Sequence, residues 1–192
     1  MDVNKVLLDC EHESEIINDP NRNSKFRYCV INAGVGYIAK TVHKAVDHKP
    51  YMGSGCYISS ACVQFFTTCA EFFDVHIEKA NGEKIELNNE ETMYLTVMNG
   101  KYGGGRIVMA PSAILNDGLL DICMQHGPVA VSEIAKFIKN AVVKKGAHIY
   151  KQNYACFRGK SVKIINRNNA TGRNRTSSND SDNLGIEEAN SK

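Results

Sequence analysis

From Asp74 to Gln125 the chain is a run of short, β-rich segments broken by glycine: DVHIEKA, EKIEL, MYLTVMN, GRIVMA and LLDICMQ. The first two flank Asn81-Gly82, the strongest short hairpin signal a sequence carries, because both residues of such a turn take positive φ. β-branched and aromatic residues fill the runs, and turn residues fill the gaps. Several strands in direct succession, with few helices between them, predict an antiparallel β-sandwich within an α+β, β-rich domain, and they exclude a doubly wound parallel sheet.

The flanking segments fit the same plan. Val3 to Cys10 is a short apolar run that reads as an edge strand, and Asp19-Pro20-Asn21 is turn chemistry. Phe26 to Ile31 reads as a strand that ends at the glycine-rich turn Asn32-Ala33-Gly34-Val35-Gly36, with a helix following to about Val46 and bounded by Pro50. Ile58, Cys62, Phe65, Phe66, Cys69, Phe72 and Phe73 recur every three or four residues, which predicts an amphipathic helix. A second helix is predicted from Val131 to Lys145, with Gly146 just past its end. The segment 155–165, ACFRGKSVKII, closes the body as strand.

The body is therefore residues 1–165. The last 27 residues hold seven Asn and four Ser, with Leu184 and Ile186 as the large apolar side chains, and are predicted to be a disordered polar tail over 166–192. At 192 residues the chain is long enough for one domain with a substantial core. No run approaches the ~20 apolar residues of a membrane span. The N-terminus has the pattern of neither a secretory signal nor a transit peptide. A cytoplasmic protein is expected.

Charge is unevenly placed. Residues 134–179 contain eleven Lys or Arg and no Asp or Glu, whereas the rest of the chain is strongly acidic. Such asymmetry suits an anionic partner: nucleic acid, a phosphate-bearing ligand or an anionic membrane face. No helix-turn-helix, RNP motif or zinc ligand set accompanies it, so a nucleic-acid partner is not expected. The seven cysteines lack any C-x-x-C pair and read as reduced, buried thiols.

Single motifs say little. Gly103-Gly104-Gly105 lacks the Lys-Ser/Thr and the following helix of a phosphate-binding loop. Asn116-Asp117-Gly118 is by itself a turn, although a loop carboxylate beside turn carbonyls can hold a hard cation.

The order of the pieces is more specific. Asn99-Gly100, Gly103-Gly104-Gly105, Ala110-Pro111-x-Ala113 and Asp117-Gly118-Leu119-Leu120-Asp121, in YLTVMNGKYGGGRIVMAPSAILNDGLLDI, resemble a signature of the diacylglycerol kinase and sphingosine kinase family of lipid kinases. FRYCVINAGVGYIAKTVHKAV resembles the opening of that family's second domain. Lys145-Gly146-Ala147-His148, followed by ACFRGKSVKI, resembles its helix, G-x-H turn and strand.

The resemblance implies a lipid-binding β-sandwich whose partner domain binds ATP through a Gly-Gly-Asp-Gly-Thr motif. It implies a structural Mg²⁺ held by Asp117 with the backbone carbonyls of Ile114 and Leu119. It also implies an acyl-chain cavity bordered by Ile134, Phe137, Ile138, Val142 and His148. Two features of the family are not matched. Gly-Gly-Asp-Gly-Thr does not occur, so ATP would enter only through the missing nucleotide-binding domain. The family's late Asp-Gly-Glu, whose Glu serves as base, is also absent, and Gly185-Ile186-Glu187 in the polar tail is a poor substitute.

The expected function is thus the lipid-binding half of an ATP-dependent lipid kinase acting on the hydroxyl of diacylglycerol or a related lipid, inactive alone. The alternative is a non-catalytic lipid-binding or regulatory module. Lys40 stands where sphingosine kinases carry an acidic residue for the amino head group, which favours a neutral lipid such as diacylglycerol. The basic block suits peripheral association with an anionic membrane, at about 1 kcal/mol per Lys or Arg near the surface.

Overall fold

The structure, a computed structural model, describes residues 3–8, 26–53, 55–67, 69–103, 107–127, 129–130, 146–150, 153–167 and 184–189. Its strands are β1 Val3–Leu8, β2 Phe26–Cys29, β3 Asn32–Gly36, β4 Glu71–Glu78, β5 Lys84–Met98, β6 Tyr102–Gly103, β7 Ile107–Val108, β8 Leu120–His126, β9 Tyr154–Gly159, β10 Ser161–Asn166 and β11 Leu184–Ala189. Its helices are α1 Tyr37–Met52 and α2 Gly55–Thr67, with a 3-10 turn at Ala147–Tyr150. Among these residues one antiparallel sheet runs β2-β1-β11-β10-β4-β5-β8-β9, with β3 also on β5. The α+β, β-rich antiparallel sandwich predicted from the sequence is what forms.

β5 makes one sheet serve as two layers. Its first half pairs with β4, and its second half pairs with β3 and β8. Two irregularities mark the crossing. Phe73 opposes Glu90 while Val75 opposes Leu87, so an extra residue sits near Asn88 and Asn89, and Asn89 takes φ 58°. Thr92 opposes His126 while Tyr94 opposes Gln125, which makes Met93 a second extra residue. Bulges bend a strand and increase its twist. Two of them also restore the alternation, so Ile85, Leu87, Leu95 and Val97 all reach the same core. That core lies between the layers: Phe73, Val75 and Ile77 of β4 and Val162 and Ile164 of β10 meet Leu120, Ile122 and Met124 of β8. A smaller cluster on the other face of β5 and β8 joins Tyr94, Met98, Met109, Ala110, Ala113, Cys123 and Tyr154, with Tyr37 and Ile38 of α1 packed on it.

Several boundaries differ from the sequence reading. Asn32–Gly36 is not a turn but β3, paired with Met98–Tyr94 of β5. Its glycines allow close backbone approach: a Cβ on Gly36, at φ +72°, would stand 2.8 Å from the Met93 carbonyl oxygen. α1 continues through Pro50 and ends at Gly53, whose N–H donates to the Lys49 carbonyl. A proline one turn from the end removes a single helical donor, which the chain tolerates there. Phe72 and Phe73 continue the helical spacing by coincidence; they belong to β4, where Phe73 is buried and Phe72 is not. EKIEL and MYLTVMN are halves of one strand, β5. ACFRGKSVKII is two strands that divide at Lys160.

In the hairpin, only Gly82 takes positive φ. The turn is closed by the backbone bonds Gly82 N–H to the Lys79 carbonyl at 3.0 Å and Lys79 N–H to the Glu83 carbonyl at 2.8 Å, and Asn81 Oδ1 accepts the Glu83 N–H at 3.0 Å.

The N- and C-terminal strands depart furthest from expectation. β1 is not an edge: it lies between β2 and β11. β11, in the segment expected to be disordered, pairs antiparallel with both β1 and β10. Gly185-Ile186-Glu187 therefore has strand neighbours, with Glu187 in register with Lys5 and Ser161. Composition hides this, because a six-residue strand flanked on both sides needs few apolar side chains of its own when its backbone bonds are satisfied by neighbours. Asn166 is also part of β10 and is buried.

Candidate functional site

The loop between β7 and β8 carries the Ala-Pro-x-Ala and Asp-Gly-Leu motifs, and the structure shows what holds it. Ala113 N–H donates to the Ala110 carbonyl at 3.1 Å, and Met109 N–H to the Lys101 carbonyl at 2.9 Å. Tyr154 of β9 donates its hydroxyl to the Met109 carbonyl at 3.1 Å. Gly146, at φ +97°, packs on this loop so closely that a Cβ would lie 2.3 Å from Pro111 Cγ and 2.9 Å from Val108 Cγ1. The G-x-H turn and the Ala-Pro-x-Ala loop, 33 or more residues apart in sequence, are thus one packed unit. Asn99 anchors the other end of the segment, donating its N–H to the Ile31 carbonyl at 2.8 Å and its side-chain amide to the Val30 carbonyl at 3.1 Å.

Asp117 sits just before β8. One carboxylate oxygen accepts the Leu119 N–H at 3.1 Å, and the other pairs with the Arg158 guanidinium of β9. The same guanidinium approaches Asp121 Oδ1 at 3.4 Å. Strand register explains the group: Asp121 and Arg158 are direct cross-strand partners. Asp121 is buried, and its Oδ2 has no hydrogen-bond partner among the described residues. Burial pushes its carboxyl above the ordinary range; Arg158 opposes that shift and Asp117 adds to it.

The family resemblance implies a Mg²⁺ at Asp117. Leu119 offers Asp117 an N–H, a group that repels cations, and Arg158 already supplies the positive charge. No cluster of three or more His, Cys, Asp or Glu suited to a metal occurs among the described residues. As arranged, the Asp117 carboxylate is engaged by the Arg158 guanidinium and by the Leu119 N–H.

The other residues singled out from sequence fall elsewhere. Ile134, Phe137, Ile138 and Val142 lie outside the described residues. His148 falls in the 3-10 turn that follows Gly146. Ile114 is half exposed at the loop surface. Lys40 pairs with Glu71 at the start of β4, so its charge is compensated and does not by itself select against an amine.

Three polar groupings escaped the sequence. Asp121–Arg158 and Cys123–Cys156 occupy consecutive same-face positions of the β8–β9 ladder. Spacings of two residues, Asp121-x-Cys123 and Cys156-x-Arg158, would have flagged them once the hairpin register was known. Asp74 of β4 is buried, accepts the Asn89 N–H at 2.8 Å, and pairs with Arg167. Arg167 holds its carboxyl below the ordinary range. The cysteines are also less uniformly buried than expected: Cys56 and Cys123 are buried, while Cys62, Cys69 and Cys156 are exposed.

A long bulged strand, β5, shared by two antiparallel layers defines the domain as a β-sandwich. Residues 29–185 match the family model of the YegS C-terminal NAD kinase beta sandwich-like domain. The chain belongs to this family. Two solved structures from Bacillus anthracis str. Sterne share the fold. One is described as a diacylglycerol kinase (TM-score 0.52, 18% identity) and the other provisionally so (TM-score 0.53, 19% identity). Each alignment covers 98% of this chain and 53% of the other, so the chain spans about half the length of these relatives. No curated protein sequence matches it.

Proposed function

We propose that this chain is the lipid-binding half of an ATP-dependent lipid kinase, holding a neutral lipid such as diacylglycerol while a nucleotide-binding domain presents the γ-phosphoryl group to the lipid hydroxyl. The observation that carries this reading is the family match over residues 29–185. Phosphoryl transfer rests mainly on positioning and on charge stabilisation around the phosphates. The chain contains no Gly-Gly-Asp-Gly-Thr motif for that purpose. Residues 1–192 alone are therefore inactive, and ATP and its Mg²⁺ belong to the nucleotide domain. Peripheral association with an anionic membrane is supported by the excess of Lys and Arg in residues 134–179, of which Arg158 and Arg167 are paired with carboxylates, and no helix among the described residues is long and apolar enough to cross a membrane.

The acyl cavity is assigned to Ile134, Phe137, Ile138, Val142 and His148 on the strength of the resemblance. A residue that packs in a core costs about 2–5 kcal/mol when cut to alanine, whereas one that lines a cavity loses fewer protein contacts. Phe137→Ala and Ile138→Ala are expected to weaken retention of a fluorescent diacylglycerol analogue more than they lower Tm. Unfolding of both variants, with lipid binding per folded molecule unchanged, would place the pocket elsewhere. Incubation of the purified chain with ATP and diacylglycerol is expected to yield no phosphorylated lipid. Turnover abolished by a point mutation within the chain would overturn the division of labour.

A further inference from the structure

Cys123 and Cys156 face each other across the β8–β9 ladder as direct register partners, with their sulfurs 2.8 Å apart. We infer that they form a reversible disulfide on exposure to a hydroperoxide, with Cys156 as the attacking thiol and Cys123 as the resolving one. Three independent observations support this.

The first is reach. Directly opposed residues of an antiparallel pair have Cα atoms about 4.5–5.5 Å apart. That range lies within the ~4.4–6.8 Å of natural disulfides, so no strand has to move. The second is asymmetry of access. Cys156 is exposed on β9, the last strand of the sheet among the described residues, whereas Cys123 is buried on β8 beside Tyr154. Sensor thiols have this arrangement, with an accessible attacker beside a sheltered partner. The third is electrostatic. The contact between the two sulfurs lowers the pKa of Cys156, while the same contact and burial raise that of Cys123. Asp121 opposes thiolate formation at Cys156, and Arg158 draws off part of that carboxylate's charge. The attacking thiolate therefore forms first at the accessible sulfur.

The chemistry balances with the peroxide as the only co-reactant. The Cys156 thiolate attacks one oxygen of hydrogen peroxide, the O–O bond breaks, and a sulfenic acid and hydroxide result; the hydroxide takes up the proton lost on forming the thiolate and leaves as water. The Cys123 sulfur then attacks the Cys156 sulfur, the S–O bond breaks, and a second water leaves. Two thiols are oxidised, one hydroperoxide is reduced, and the S–S bond ties β8 to β9. The link closes the segment from Cys123 to Cys156, which contains the G-x-H turn.

Tryptic digestion tests this directly, because residues 107–136 and 152–158 form peptides that each contain one cysteine, Cys123 and Cys156 respectively. The full chain is reduced, treated with a small excess of hydrogen peroxide, capped with N-ethylmaleimide and digested without reductant. The expected result is a joined 107–136/152–158 species lighter by two hydrogens than the sum of its peptides, loss of both maleimide adducts, and release by dithiothreitol. In Cys123→Ser the expected product is a sulfenic acid at Cys156, captured by dimedone. If that variant does not fold, the wild-type peptide map decides alone. Persistence of both maleimide adducts while Cys62 or Cys69 becomes oxidised would overturn the inference. So would joining of Cys123 or Cys156 to a different cysteine in the folded chain.

Discussion

The guanidinium of Arg158, on β9, is ion-paired with the carboxylate of Asp117 in the turn that leads into β8. It thereby supplies, from within the chain, the positive charge that the family resemblance would assign to a metal. A Mg²⁺ bound at ~100 times its Kd would add about 2.7 kcal/mol to stability. The expected result is instead a Tm that does not differ between excess Mg²⁺ and a chelator. Arg158→Met should leave Asp117 and the buried Asp121 without their cation and lower stability. A Mg²⁺-dependent rise in the wild-type Tm, removed by Asp117→Ala, would contradict this and restore the metal.

Asp121 and Asp74 are both buried carboxylates, yet they should respond to pH in opposite directions. Arg167 and the Asn89 N–H hold Asp74 ionised, so its folded pKa is lowered. Its contribution to stability is present above the unfolded carboxylate range near ~3.9 and is lost as pH falls through the lowered folded value. Arg167→Ala leaves that carboxylate short of a partner and is expected to lower stability at neutral pH. The loss of stability on acidification should also become shallower. Chemical denaturation of both proteins across the acid range measures this, and parallel curves would count against the pairing.

Asp121 has a raised folded pKa, with burial the largest cause. Such a group favours the fold below the unfolded carboxylate range, and that benefit is lost as pH rises through the folded value. Asp121→Asn removes the charge while keeping the shape. It is expected to preserve or raise stability at neutral pH relative to wild type, and to narrow that difference in acid. A large loss at neutral pH would show that the Arg158 contact outweighs burial.

Gly146→Ala tests the seam between the G-x-H turn and the Ala-Pro-x-Ala loop. The new methyl would meet Pro111 Cγ at 2.3 Å in a positive-φ backbone. Overpacking of this kind costs about 1–3 kcal/mol, and the backbone strain adds to it. A melting temperature equal to wild type would mean that the two loops are not packed together.

How much the sequence disclosed depended on the range of the interaction. The β-rich class was legible because runs such as LLDICMQ carry it locally, and the motif order from Asn99 to Asp121 pointed to the family. β11 was not legible: Leu184–Ala189 sits in an Asn- and Ser-rich segment, and its strand state comes from pairing with β1 and β10. Nor was the fusion of two short runs into β5, since the polar residues between them look like a loop until bulges carry the strand through. Asp117 was visible as a turn carboxylate. Its partner Arg158 lies 41 residues away and is brought near by the β8–β9 register, which no local pattern encodes.

The central claim is that this chain itself holds a neutral lipid of the diacylglycerol type. It is tested most directly by titrating purified residues 1–192 with a fluorescent diacylglycerol analogue in detergent micelles and following the analogue's anisotropy. Saturable binding, displaced by unlabelled diacylglycerol, is the predicted result. Anisotropy no higher than that of the analogue with an unrelated β-sandwich protein, for a chain shown to be folded by its cooperative melt, would contradict it.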